Sequence, residues 1–259
     1  MAIETDDRDH ARLVDNVELR QAVGQFAAQP NQRGAFEVLR GCMYGELLFD
    51  ITGSDAFTGE PLANGSRLQI RKGTGPNGAS ALFAFTRNDE IARLYPAGTR
   101  TQSLVTPATG ALTLARTQGD AWLYVDPAGP TCALSAAEID FALRNPNNEA
   151  LKRALAEHAA GRTDRRSVIE LLRQDGPLLL AADESDGRPV FRTIGQPAAA
   201  PSVAGFTSAP EVVAVNAADA VAPSSTQQVL TMARERGYDG IVLNPAGPSM
   251  RISLAEIFG

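Results

Sequence analysis

The chain has little of what most recognisable chemistries need. Histidine occurs twice in 259 residues, as His10 and His158. Neither stands at a metal-ligand spacing such as HExxH, so no metal site is expected. A Ser-His-Asp triad would have to use one of these two, with no GxSxG turn to present the serine. Cysteine also occurs twice, as Cys42 and Cys132, with no CxxC pattern. Such residues read as small, buried and apolar in a reducing compartment. Basic residues do not cluster. The densest patch, Arg162, Arg165 and Arg166, is interrupted by Asp164, and the net charge is −6. That balance tells against nucleic acid as a partner, because phosphate neutralisation needs grouped Lys and Arg. No apolar run approaches the roughly 20 residues of a spanning helix. The opening stretch MAIETDDRDHARLVDN is acidic and lacks an apolar signal core. The expectation is a cytoplasmic protein with no membrane partner and no cofactor.

What the chain does contain is a second copy of part of itself. Residues 111–139 and 229–257 align without a gap at an offset of 118, with 13 identities in 29 positions. Weaker matches lie upstream. Asn16 to Val23 resembles Asn148 to Leu155 at offset 132, and Phe85-Thr86 matches Phe206-Thr207. A repeat of this length implies two similar folded units, each with its own core. The predicted class is α+β: two related repeats, each a small mixed β-sheet flanked by helices. The expected bounds are 14–143, with insertions, and 146–259, with the junction near Asn145-Pro146-Asn147.

Each repeat begins with an Asn-capped helix, at about 16–28 and 148–160. Strands are predicted near 46–51, 67–71 and 80–86, and near 177–182, 188–193 and 203–207. A short helix follows each Phe-Thr pair. A longer one ends at Gly119 or Gly237, both placed as C′ glycines. The alanine- and proline-rich stretch from Gln196 to Pro210 reads as a loop or ordered linker.

The clearest shared motif is a buried strand leading into Asp126-Pro127-Ala128-Gly129 or Asn244-Pro245-Ala246-Gly247. Asp or Asn before Pro-x-Gly is turn chemistry. Ser135 and Ser253 each begin Ser-x-Ala-Glu, a capping box. Local structure therefore accounts for the segment without a ligand. Loops at strand ends nevertheless often carry function, so Asp126, Gly129, Asn244 and Gly247 are candidate binding residues. Trp122 and Tyr124 join them, sharing one face of their strand at period two. They cover their own domain or meet a partner.

The order of Phe206-Thr207, a helix, the strand from Gly240, Asn244 to Gly247 and a final helix resembles the N-terminal domain of SseB-like bacterial proteins. The first copy departs from it with Asp126 in place of Asn and an enlarged middle. The resemblance implies a small α/β domain of cytoplasmic proteins, named after serine sensitivity or type III secretion. It supplies no catalytic residue.

Other patterns point to structure. Gly73 to Gly78 matches GxGxxG, but an apolar strand follows where a dinucleotide site needs a helix, so a hairpin loop is expected. Asp183 to Gly187 is acidic but lacks the EF-hand's alternating ligands, and Asp186-Gly187 reads as a hairpin turn. The functional expectation is a non-enzymatic interaction module with an unidentified protein partner, self-association being open. The alternative is a small-ligand or nucleotide-binding protein with a site near the two Pro/Gly loops.

Overall fold

The structure is a computed structural model that describes residues 14–54, 68–183, 190–195 and 200–259. It divides into two compact units, 1–136 and 137–259. The first unit opens with α1 (Val17–Ala28) and α2 (Gln32–Gly41). Asn16 and Asn31 cap them, each side chain accepting a backbone N–H one turn on. There follow β1 (Glu46–Asp50), β2 (Lys72–Thr74), β3 (Ser80–Ala84), the short helix α3 (Asn88–Ala92) and β4 (Ser103–Pro107). Then come α4 (Ala108–Thr117), β5 (Trp122–Val125) and β6 (Cys132–Ser135), and α5 (Ala136–Arg144) leads into the second unit.

The second series runs α6 (Glu149–Ala159), α7 (Arg165–Arg173), β7 (Pro177–Asp183), β8 (Val190–Phe191), β9 (Thr193–Ile194) and β10 (Ser202–Gly205). It continues with α8 (Ala209–Val215), β11 (Ala220–Ser225), α9 (Thr226–Glu235), β12 (Gly240–Leu243), β13 (Met250–Ser253) and α10 (Leu254–Phe258).

The pairing repeats as well. One sheet has the order β2-β3-β5-β6, the other β9-β10-β12-β13. Its two inner strands are parallel and its outer pairs antiparallel. Beside it β1 pairs antiparallel with β4, and β7 with β11. Single bridges, Leu48 to Phe85 and Leu179 to Phe206, join the two sheets of each unit.

Burial follows from the apolar pattern. In β7, Leu178 and Leu180 enter a core with Leu151, Leu172, Ile241 and Ile252. Leu179 and Ala181 face a second cluster with Ala204, Phe206 and Val212. A strand buried on both faces reads as a continuous apolar run, and this one does. Helices α4 and α9 end in matching Schellman motifs. Gly119 and Gly237 take φ of 73° and 69°, and Asp120 and Tyr238 donate back to Ala115 and Ala233 at 2.9 Å.

The sequence expectations differ from the structure in four places. Helices α2 and α7 and strands β4 and β11 were not anticipated. The stretch from Gln196 to Pro210, read as a loop or linker, holds β10 and the start of α8, both buried, which answer to the strand expected near 203–207 and the helix expected after Phe206-Thr207. The strand expected near 67–71 begins at Lys72. His10, and the turn expected at Asp186-Gly187, lie outside the described residues. The GxGxxG segment is the β2–β3 hairpin, turning through Pro76–Gly78. Its glycines admit aromatic rings. A Cβ on Gly73 would lie 2.0 Å from Phe83 Cζ, and one on Gly75 2.6 Å from Trp122 Cδ1.

Candidate functional site

Parallel strands with helical crossovers gather their loops at the strands' carboxyl ends, where open α/β sheets bind ligands. In the first unit β3 ends at Phe85-Thr86 and β5 at Asp126, and in the second β10 ends at Phe206-Thr207 and β12 at Asn244. The two strand ends are tied together. Thr86 N–H donates to Asp126 Oδ1 at 2.9 Å, and the two side chains meet at 2.8 Å between Oγ1 and Oδ2. In the second unit Thr207 N–H donates to Asn244 Oδ1 at 3.0 Å, and Asn244 Nδ2 donates to Thr207 Oγ1 at 2.9 Å. Asp126 and Asn244 have φ of 55° and 42°, a left-handed conformation that Asp and Asn tolerate better than most residues. Gly129 and Gly247 close the turns by donating to Asp126 and Asn244 carbonyls at 3.2 and 2.8 Å.

The charges around these ties differ. Asp126 is 2% exposed. Burial pushes its carboxyl up to about 6, against the Thr86 hydrogen bonds that lower it; the nearby Glu90 charge adds to the rise. Glu90 is itself buried, and its Oε1 accepts from Arg87 Nε and Nη2 at 3.2 and 3.1 Å. Arg93 Nε stands 3.1 Å from Glu90 Oε2, an ion pair without hydrogen-bond geometry. Gly129 lies against this pair: a Cβ there would meet Arg93 Nη1 at 2.9 Å and Glu90 Oε2 at 3.1 Å. In the second unit the matching carboxylate is Glu211, fully buried and paired with buried Lys152. Arg20 aligns with Lys152 but pairs with Asp15 at the surface.

The structure thus brings Asp126 and Gly129 together in one turn and Asn244 and Gly247 in the other. Trp122 and Tyr124 are half-buried on the sheet face opposite the Leu123 and Val125 core side. Trp122 covers the Gly75 backbone, and Tyr124 meets Phe83 edge-on at 5.9 Å and 71°. Sequence reasoning missed Thr86, Glu90, Arg87 and Arg93. The recurring Phe-Thr pair marked the threonine. The aligned cations Arg20 and Lys152, and the aligned acids Glu90 and Glu211, were visible but had no reason to be linked. Among the described residues no group of three or more His, Cys, Asp or Glu could hold a metal. No described helix is long and apolar enough to cross a membrane.

A second feature is the outer edge of β4. Ile51 N–H bonds Gln102 carbonyl at 3.0 Å and Ala108 N–H bonds Gly45 carbonyl at 2.9 Å. By alternation Leu104 and Thr106 turn their backbone groups to β1, while Ser103 and Val105 turn theirs away. Among the described residues nothing pairs with that outer edge. The Val105 side chain is 49% exposed. At its start the strand borders a pocket of about 300 Å³, lined by Ile51 and residues 100–104.

Sequence comparison agrees with the duplicated architecture. The family model described as SseB protein N-terminal domain matches residues 19–140 and again 151–257. The chain belongs to the SseB family. It carries two tandem copies of that domain, and in this chain each copy is a mixed sheet whose parallel strand ends are tied, by Thr86–Asp126 or by Thr207–Asn244. Neither curated proteins nor solved structures yield a match.

Proposed function

We propose that this SseB-family chain is a cytoplasmic, non-enzymatic protein-interaction module. The observation that carries the reading is the outer edge of β4. It is uncharged from Ser103 to Pro107, unpaired among the described residues, and bears an exposed valine. Edges of this kind are templates for strand addition, and folded proteins normally guard them with charge or proline, which here stands only at the strand's end, as Pro107. The loop polar groups, by contrast, are largely used on each other, and catalysis needs acids or bases free to meet a substrate.

The test compares immobilised wild type with Val105→Pro, after circular dichroism has verified the variant's fold, in lysate from the source cell. Specific protein retention by wild type and its loss in the variant would support the module. Retention of no protein, with a small molecule released on denaturation, would overturn it.

One observation favours a second reading, a small-ligand site at the first repeat's loop. Asp126 and Glu90 form a buried acidic pair there, with Glu90 Oε2 lacking a hydrogen bond. Native mass spectrometry of wild type and Asp126→Asn checks it, since a ligand held by that pair is lost in the variant.

A further inference from the structure

We infer that β4 pairs antiparallel with β4 of a second copy of this chain, about a two-fold axis at Leu104. The inference rests on the interaction reading and names its partner.

The two repeats supply the argument. Val105 stands opposite Leu48 in the β1–β4 ladder, and Pro223 opposite Leu179 in the β7–β11 ladder. Leu48 and Leu179 each turn their own backbone groups to a phenylalanine, Phe85 or Phe206, so the two positions are equivalent. In the second repeat the outward position is a proline, which has no N–H to offer. That is where an edge strand tolerates proline and where proline blunts an edge. In the first repeat the same position keeps its N–H and its carbonyl, beside an exposed side chain.

The occupant follows from the symmetry of what is offered. Ser103 and Val105 present two N–H groups and two carbonyls at a spacing of two residues. Rotating one copy about Leu104 sets Ser103 against Val105 of the second copy, and Val105 against its Ser103. All outward groups are then paired, in the alternation an antiparallel ladder requires. No charge lies between Ser103 and Pro107 to repel the second copy. Pro107, lacking an N–H, limits the ladder's length. Such an isologous contact is self-complementary, as two-fold association demands. A strand of five residues is about 17 Å long, and the contact falls below the ~1,200 Å² of a stable interface. The dimer is therefore weak and concentration-dependent.

Sedimentation equilibrium of the full chain, from micromolar to millimolar, is the first test. Wild type should shift from monomer to dimer. Val105→Pro, copying the second repeat, should weaken self-association by about tenfold or more, equivalent to ~1.4 kcal/mol. Val105→Lys, at an exposed side chain, should do the same if proline disturbs the fold. Register is tested by Leu104→Cys. Opposed residues of a non-hydrogen-bonded pair stand about 4.5 Å apart, within disulfide range, so oxidation should give a covalent dimer. Val105→Cys, diagonal to its mate, should give far less. A chain monomeric throughout, a dimer indifferent to both Val105 variants, or no Leu104→Cys cross-link would each overturn the proposal. If the purified chain stays monomeric yet a lysate protein is lost with Val105→Pro, the interaction reading stands and the second copy is the wrong partner.

Discussion

The two strand-end ties do the same mechanical task with different chemistry. Asn244 is neutral at every pH, and its amide both accepts from the Thr207 backbone and donates to the Thr207 hydroxyl. Asp126 copies that pattern when protonated, its Oδ2–H standing where the amide N–H stands. When ionised it keeps two acceptors but places a charge in a buried site that already holds Glu90. The neighbouring acids reverse the balance. Glu211 has a buried ammonium against it, whereas Glu90 draws on arginines whose side chains reach the surface, 31% exposed at Arg87 and 48% at Arg93. The second repeat therefore encloses its ion pair and neutralises its turn. The first keeps an acidic turn and compensates from outside.

Removing the enclosed cation should have the largest effect. Lys152→Met leaves the Glu211 carboxylate buried without its ammonium, and breaking a buried pair on one side costs about 3–5 kcal/mol. The aligned change, Arg20→Met, breaks a surface pair with Asp15 and removes a weaker attraction to Asp126 and Glu90, and should cost about 1 kcal/mol, well below the Lys152 loss. Urea unfolding of both variants measures the contrast. Equal losses would mean that Arg20 serves the first repeat as Lys152 serves the second.

The turn comes next. Asp126 has its carboxyl raised from 3.8 to about 6, so the folded chain binds a proton more tightly than the unfolded one. Stability from this group is complete below pH 3.8 and declines as pH rises through about 6. At about 1.4 kcal/mol per unit, the ionised group costs roughly 3 kcal/mol at neutral pH. Asp126→Asn should recover most of that and remove the decline between pH 4 and 6. Asn244→Asp should introduce the decline in the second repeat. Stability measured against pH for the two variants decides whether the turns are interchangeable. A flat wild-type profile in that window would break the comparison.

The outer sheet faces differ in the same spirit. In the second unit Ala204 is small, and Phe141 from α5 packs on its cluster. In the first, Phe83 occupies the aligned place, and Gly73 makes room for its ring. Gly73→Ala drives a methyl into Phe83 Cζ, and overpacking of this kind costs about 1–3 kcal/mol. Phe83→Ala should relieve the clash, and a double-mutant cycle would read the coupling.

Much of this fold was legible because the repeat made each reading twice. Asn16 and Asn148 cap their helices as expected, Gly119 and Gly237 end theirs, and the Ser253 box forms with Glu256. Helices α2 and α7 escaped because they follow α1 and α6 after short polar turns, and their apolar faces are spread over only three turns. Strands β4 and β11 escaped for a different reason. Ser-Leu-Val-Thr-Pro and Ala-Val-Ala-Pro-Ser-Ser lack strict alternation and contain proline, which argues against a strand except at an edge. Of the site, the turns were readable from Asp126-Pro and Asn244-Pro. The ties to Thr86 and Thr207 span 40 and 37 residues and depend on parallel pairing that no local pattern encodes.

The smallest effect on stability is expected at the edges, where it is also most informative. Pro223→Val restores an outward N–H that no described residue needs, so folding should change by less than ~0.5 kcal/mol, as surface substitutions usually do. Its consequence lies in association. Beside Val105→Pro it moves the open edge from the first repeat to the second, while leaving the composition of the chain unchanged. If an unguarded edge in this ladder is sufficient, the swapped chain self-associates as wild type does. The neighbouring residues then decide the outcome. Ser103 and Val105 in β4 are matched by Val221 and the new valine in β11, so the restored ladder has the same two outward positions. Self-association of the swapped chain, measured by sedimentation against each single variant, separates the strand edge from the pocket beside Leu104, which the swap leaves behind.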